Sequence, residues 1–134
     1  MFRVLTCVFM MAAGLHAQVA VVNVTAPFQQ LDATRVRDMF LGRVTTWPDG
    51  TPVIIVLTND PAADAALVLV VGRDREWLLR GWKRLVFSGT GAMPLQAASE
   101  REGLELLARQ HGAILIAGSI VADERWRSNL LTVH

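Results

Sequence analysis

The strongest constraint on the fold is a set of short, almost wholly apolar runs separated by longer amphipathic stretches. Residues 52–57 read PVIIVL, residues 18–24 read QVAVVNV and residues 113–117 read AILIA. A strand that is apolar at nearly every position needs both faces of its sheet to be covered. We therefore expect a buried sheet that has helices on both sides.

Helix signals fill the gaps between these runs. Asp32 or Thr34 can cap a helix that extends to about residue 41 and turns three apolar side chains to one face, namely Val36, Met39 and Phe40. Residues 61–72 have two interpretations, because their alanines favour a helix whereas residues 67–71 fit a strand by composition. Pro61 suits the first turn of a helix, so we expect a helix there.

Residues 74–87 predict an amphipathic helix. Five apolar side chains fall on one side of it, namely Trp77, Leu78, Trp82, Leu85 and Val86. Residues 88–98 are predicted to be a glycine- and proline-rich loop, and Ser99 with Glu102 forms a capping box for a helix through residue 110. Strands that alternate with helices indicate a three-layer α/β sandwich with a partly parallel sheet, and residues 130–133 fit its last strand.

The N-terminus predicts a secretory signal peptide. One charged residue, Arg3, precedes a short apolar run, and Leu15-His16-Ala17 ends on a small residue suited to signal-peptidase cleavage. The apolar run is too short to cross a bilayer, which takes roughly 20 residues. A buried N-terminal strand or helix is the alternative. We expect residues 1–17 to be removed and residues 18–134 to form one domain.

Composition argues against several classes of function. The chain has 13 Lys and Arg against 12 Asp and Glu, so its charge gives no reason to expect a nucleic acid or an anionic membrane as partner. The one cysteine, Cys7, lies in the predicted signal peptide, which leaves no disulfide and no cysteine-based metal site. His111 fits a helix C-terminus better than a catalytic site. We expect no cofactor, no metal, no membrane span and, without a Gly-x-Ser-x-Gly motif, no enzyme activity.

Four motifs carry a resemblance to a known family. They are MFLGR at residues 39–43, WPDG at 47–50, FSGTG at 87–91 in the segment after Trp82, and GAI at 112–114. In this order and spacing the chain resembles the short relatives of periplasmic phosphate-binding proteins, the substrate-binding components of phosphate ABC transporters. The resemblance implies a single lobe, half of a type II periplasmic binding protein, in the periplasm. It also implies that a second copy or another protein completes the binding cleft.

The resemblance further implies that the ligand is phosphate or another oxyanion. Family members hold it with backbone N–H groups, hydroxyls and an arginine-bearing loop, which suit a tetrahedral anion. The ligand-binding residues implied here are Thr25, Thr58, Asn59, Ser88 and Thr90. The loop at residues 57–63 reads LTNDPAA, without arginine, and Asp60 repels an anion unless that anion donates a proton to it. An arginine that reaches this loop from elsewhere, such as Arg43, would favour oxyanion binding.

A second hypothesis is a degenerate lobe that acts as a protein-interaction or structural module in a cell-envelope assembly. Its partner-binding residues would be Arg80, Lys83 and Arg84, a basic face that is otherwise interpreted as solvated surface. An exposed apolar patch, together with Asp60 capping its own helix, would favour this hypothesis over oxyanion binding.

Overall fold

Nine elements make up the part of the chain that the computed structural model describes, which is residues 17–23, 31–89, 91–118 and 127–133. The strands are β1 (Ala17–Asn23), β2 (Ile54–Thr58), β3 (Leu95–Ala97), β4 (Ala113–Ala117) and β5 (Arg127–Val133). The helices are α1 (Ala33–Phe40), α2 (Pro61–Val71), α3 (Arg75–Phe87) and α4 (Glu100–Arg109). Apart from Ala17, the predicted signal peptide lies outside the described residues.

The five strands form one mixed sheet in the order β3-β2-β4-β1-β5. β2 runs parallel to both β3 and β4, with Val56 opposite Leu95 on one side and opposite Leu115 on the other. β1 runs antiparallel to β4 and to β5. Every residue of β4 is buried, as expected for a strand covered on both faces. The prediction of a partly parallel sheet is confirmed.

Alternate residues of β2 and β4 enter two separate cores. On one face Ile55 and Ile116 join a cluster with buried side chains of α1, α2 and α3. On the other face Val56 and Leu115 pack with Leu107 of α4. Helices therefore cover both faces of the sheet, which confirms the three-layer α/β sandwich.

The helices begin at the capping residues that the sequence indicates. Asp32, and not Thr34, caps α1 by accepting a hydrogen bond from the Arg35 N–H at 2.7 Å. Ser99 caps α4 through the Glu102 N–H. The segment with two interpretations is helical, and it ends at Gly72, whose φ of 78° is left-handed and therefore suits glycine.

One sequence prediction is wrong. The segment 88–98 is not all loop, because Leu95–Ala97 pairs with β2 as β3. The amphipathic helix predicted for residues 74–87 is confirmed as α3, in which Leu78 and Trp82 are buried while Trp77 and Val86 are 39% and 37% exposed. The helix contacts the core along one stripe, and residues at the margins of a wide apolar face stay in solvent.

Two buried tryptophans tie the loops to this framework. The Trp47 indole N–H donates to the Gly112 carbonyl at 2.8 Å, and the Trp82 indole N–H donates to the Phe40 carbonyl at 2.9 Å. Gly112 itself has a φ of +85°, and a Cβ there would collide with the Pro52 carbonyl oxygen. The aromatic and glycine motifs thus hold the end of the sheet at which β2 and β4 begin.

Candidate functional site

The carboxyl ends of the three parallel strands form one edge, which we call the carboxyl edge. Thr58, Ala97 and Ala117 end β2, β3 and β4. The N-terminus of α2 follows Thr58 and that of α4 follows Ala97. In open α/β sheets, ligands bind at this edge because loops and helix N-termini converge there. The candidate residues Thr58 and Asn59 both lie on it.

Three backbone N–H groups at the carboxyl edge donate to carboxylates of the chain itself. Asp60 caps α2, and its carboxylate accepts from the Ala63 N–H at 3.0 Å. Unpaired N–H groups at a helix start are the usual donors to an anion. Asp60 therefore stands where a bound oxyanion would accept the same hydrogen bond.

The start of α4 repeats this arrangement with glutamates. Glu100 accepts a hydrogen bond from the Gly118 N–H at 3.1 Å, and Glu102 accepts one from the Ala98 N–H at 3.0 Å. Both N–H groups follow the last residue of a parallel strand. Each helix start at the carboxyl edge thus carries negative charge, which lowers its affinity for an anion.

Among the arginines that the structure describes, Arg75 reaches the carboxyl edge, and the sequence did not single it out. The Arg75 guanidinium donates to the side-chain oxygen of Asn59 at 3.0 Å. Arg43, the arginine named from the sequence, instead lies 3.5 Å from the carboxylate of Asp38. Arg75 is the first residue of α3. The turn between α2 and α3 therefore positions it beside the loop that follows β2.

Thr58 is the most buried polar residue at this edge. It is 5% exposed, and a Cβ added to Gly103 would lie 2.5 Å from its methyl carbon. The side chain is therefore held by close approach of α4 to the sheet. No hydrogen bond joins its hydroxyl to another residue that the structure describes. A buried hydroxyl without a partner is available to a ligand or a water molecule.

Ser88 is not brought together with Thr58 and Asn59. It follows the last residue of α3, and its hydroxyl donates to the Leu85 carbonyl at 2.8 Å. A helix of this length spans roughly 20 Å, and it is the first residue of α3 that contacts Asn59. Thr25 and Thr90 lie outside the described residues.

A groove lies between α3 and the end of α1, and we call it the α3 groove. Its volume is about 420 Å³, and apolar side chains line most of it, among them Phe40, Leu78 and Leu85. Arg43 and Arg84 also line it. The three predicted partner-binding residues, Arg80, Lys83 and Arg84, are exposed on α3. A separate cavity of about 300 Å³ lies between Met39, Val53 and Trp82.

Within residues 31–89 and 91–118, and in the two described strands beyond them, no group of three or more His, Cys, Asp or Glu side chains could hold a metal ion. In the same ranges, no helix has the length and apolar character needed to cross a membrane.

Comparison with known proteins gives one informative match. The chain is similar to a crystal structure from Clostridium perfringens that is named a phosphate ABC transporter substrate-binding protein and contains bound phosphate. The TM-score is 0.57 and the identity 15%, over 88% of this chain and 44% of the other. The chain thus spans less than half of that protein. No protein-family model matches the sequence, and no curated protein does.

This match shows the fold. The described part of the chain has an α/β fold distantly similar to part of a protein that is named a substrate-binding protein.

Proposed function

We propose that the protein is a periplasmic solute-binding-like protein related to the substrate-binding components of phosphate transporters, and that it binds phosphate or another oxyanion weakly. The observation that carries this proposal is the contact of Arg75 with Asn59 beside the start of α2. It supplies the guanidinium that the loop sequence lacks, and a guanidinium can hold an oxyanion through two parallel hydrogen bonds.

Thr58 and Asn59 are the ligand-binding residues that this geometry favours most. The Thr58 hydroxyl is buried at the same edge, and the Asn59 amide is already oriented by Arg75. Thr25, Ser88 and Thr90 remain proposed ligand-binding residues, with Ser88 at the far end of α3. One lobe supplies half of a cleft, so fewer polar contacts offset the desolvation of the anion. A second copy or another protein would complete it.

The acidic groups predict which anion binds better. Asp60 repels a fully ionised anion such as sulfate, whereas hydrogen phosphate can donate a hydrogen bond to the Asp60 carboxylate. We therefore expect phosphate to bind more tightly than sulfate. The dissociation constant for phosphate should be about 1 mM, which corresponds to a binding free energy of about 4 kcal/mol.

The test is an isothermal titration of the purified protein with phosphate and with sulfate. Two variants, Arg75→Gln and Thr58→Val, remove one proposed contact each. Valine has nearly the same shape as threonine, so Thr58→Val removes only the hydroxyl. Each should weaken phosphate binding by about tenfold, since a hydrogen bond to a charged group contributes about 1.5–3 kcal/mol. Arg109→Gln, at the last residue of α4, is the control and should bind like the wild type.

Two results would reject oxyanion binding. One is the absence of any saturable heat or thermal stabilisation up to about 50 mM phosphate, well beyond the expected dissociation constant. The other is an equal loss of affinity in Arg75→Gln and Arg109→Gln, which would indicate an effect of net charge alone.

A second candidate function is a degenerate lobe that acts as a protein-interaction or structural module in a cell-envelope assembly. The engaged N–H groups favour it, because Asp60, Glu100 and Glu102 already accept the hydrogen bonds that an anion would need. The exposed apolar side chains of α3, above all Phe87, favour it as well. The same titration distinguishes the two functions, since this candidate predicts no phosphate binding.

Both candidate functions place the protein outside the cytoplasm, through the proposed signal peptide at residues 1–17. Cell fractionation of the tagged full-length chain tests this. We expect a processed form in the periplasm, and Val8→Arg, which interrupts the apolar run, should leave the precursor in the cytoplasm. A wild-type chain that stays unprocessed in the cytoplasm would reject the location.

A further inference from the structure

The outer face of α3 combines exposed aromatic side chains with cations. Phe87 is 95% exposed and Trp77 is 39% exposed, and Arg80 and Arg84 are exposed between them. A phenylalanine that is almost fully in solvent loses the stabilisation that burial of its ring would provide. Exposed apolar surface with a charged surround is typical of a protein-binding site.

Gly81 opens the α3 groove beside this face. It lies between Leu78 and Leu85 in the groove lining, and a Cβ added to it would meet no atom within 4 Å. Space above a helical glycine, with apolar walls, can accept one large side chain from a partner. Such a filled pocket, shielded from water by its surroundings, is the usual energetic centre of an interface.

The charge around the groove selects the chemistry of the partner. Arg80, Lys83 and Arg84 form no ion pair with another residue that the structure describes. Arg73 adds a further cation and stacks on Trp77, 4.8 Å from the ring centre. Glu76 is the one acidic residue within α3 itself. An acidic segment would therefore find several unpaired cations beside the groove.

We propose that the α3 groove binds an acidic segment of another protein, with one aromatic or large aliphatic side chain above Gly81 and carboxylates on Arg84 and Arg80. A second copy of this chain is the alternative occupant, and the test below distinguishes it. This inference rests on the second candidate function for the existence of a protein partner, and it names the surface and the partner's charge.

The test uses a synthetic amphipathic peptide of about 15 residues, long enough to form a helix on binding. Its apolar face carries Leu and one Trp, and its polar face carries Glu. A matched peptide has Lys in place of every Glu. Fluorescence anisotropy measures binding of each peptide to the wild type and to three variants. Gly81→Leu fills the groove and Arg84→Glu reverses one of its cations. The control is Arg101→Glu on α4, where the arginine side chain is 91% exposed.

The glutamate peptide should bind saturably and the lysine peptide should not. Gly81→Leu and Arg84→Glu should each weaken binding by about tenfold or more, as loss of a central contact does, while Arg101→Glu should stay within about twofold. Gly81→Leu should also raise the melting temperature, because leucine favours a helix over glycine by about 1 kcal/mol. A loss of binding in that variant is then a loss of the groove and not of the fold.

Three results would overturn the inference. The first is that the glutamate peptide does not bind, and the second is that the two peptides bind equally well. The third is a wild-type dimer in analytical ultracentrifugation that Gly81→Leu abolishes, because the groove would then be an interface between copies. Gly81→Leu should leave the phosphate titration unchanged, because the groove does not include Thr58 or Asn59. Failure of the peptide test is therefore distinct from failure of oxyanion binding.

Discussion

Replacing Asp60 with asparagine separates two effects of one side chain. The Asp60 carboxylate caps α2 through the Ala63 N–H, and its charge opposes any anion at the carboxyl edge. Asparagine caps a helix about as well as aspartate, so the free energy of unfolding should change by less than about 0.5 kcal/mol. The negative charge is removed while the cap is kept.

The expected gain in phosphate affinity follows from Coulomb's law. An anion that contacts the start of α2 lies about 5 Å from the Asp60 carboxylate, and two unit charges at that distance repel by roughly 1–3 kcal/mol for an effective dielectric constant between water and a protein surface. Screening by salt keeps this repulsion near its lower value of about 1 kcal/mol. Asp60→Asn should therefore bind phosphate about fivefold to tenfold more tightly, and the gain should be larger for sulfate, which cannot donate a hydrogen bond to the aspartate.

The assay is a pair of isothermal titrations, with phosphate and with sulfate, at low and at high ionic strength. Asp49→Asn is the matched control, because its carboxylate also accepts from a backbone N–H, that of Thr51 at 2.9 Å. It belongs to the turn that Trp47 anchors to Gly112, at the other end of the sheet. The control should leave both affinities unchanged.

Two results would contradict this prediction. If Asp60→Asn keeps its stability and still binds neither anion more tightly than Asp49→Asn does, the anion does not bind at the start of α2. A fall in affinity would refute it as well, because it would show that the carboxylate is a ligand-binding group whose charge helps.

Three further predictions concern the framework. Gly112→Ala should lower the free energy of unfolding in urea by at least about 3 kcal/mol, since a positive φ costs an L-residue about 1–2 kcal/mol and the new methyl overpacks the Pro52 carbonyl. Gly50→Ala is the control, because Gly50 has a φ of +88° in open space and its replacement should cost only the about 1–2 kcal/mol of the positive φ. Trp82→Phe should cost about 1–3 kcal/mol, because the buried carbonyl that accepts its indole N–H loses a partner; a loss below about 0.5 kcal/mol would contradict this. The backbone N–H of Thr51 lowers the pKa of Asp49 below its ordinary value of 3.8, so the turn should gain stability above that value and lose it as the pH falls through the lowered pKa; an NMR titration that finds an ordinary pKa would contradict it.

The alternation of apolar runs and capped helices was sufficient to predict the three layers. Each of those signals is local, since a cap acts within three residues and the composition of an apolar strand by itself indicates that the strand is buried. β3 was missed because three residues in a segment rich in glycine and proline form a strand only through their pairing with β2. Its stability depends on a partner distant in sequence, which no local pattern reveals.

The site was less predictable for the same reason. Thr58 and Asn59 are candidates because the resemblance implies a ligand-binding loop directly after the second strand, and the structure confirms only that both lie at the carboxyl edge. The Arg75–Asn59 contact joins residues 16 apart, and the Glu100–Gly118 contact joins residues 18 apart. Both depend on where two helices start relative to the sheet. The resemblance indicated that an arginine was missing from the loop, but only the packing shows that Arg75 contacts Asn59.

The position of β1 has a consequence for how the chain acquires its structure. β1 lies between β4 and β5, so the first strand of the described chain pairs with the two that come last in its sequence. Contacts between such distant segments close large loops and form slowly. The parallel strands and their helices can assemble first, whereas β1 must stay unpaired until β4 and β5 arrive. We therefore expect folding to finish only after synthesis of β5, and a chain that stops before residue 113 to expose β1 as an unpaired, aggregation-prone strand.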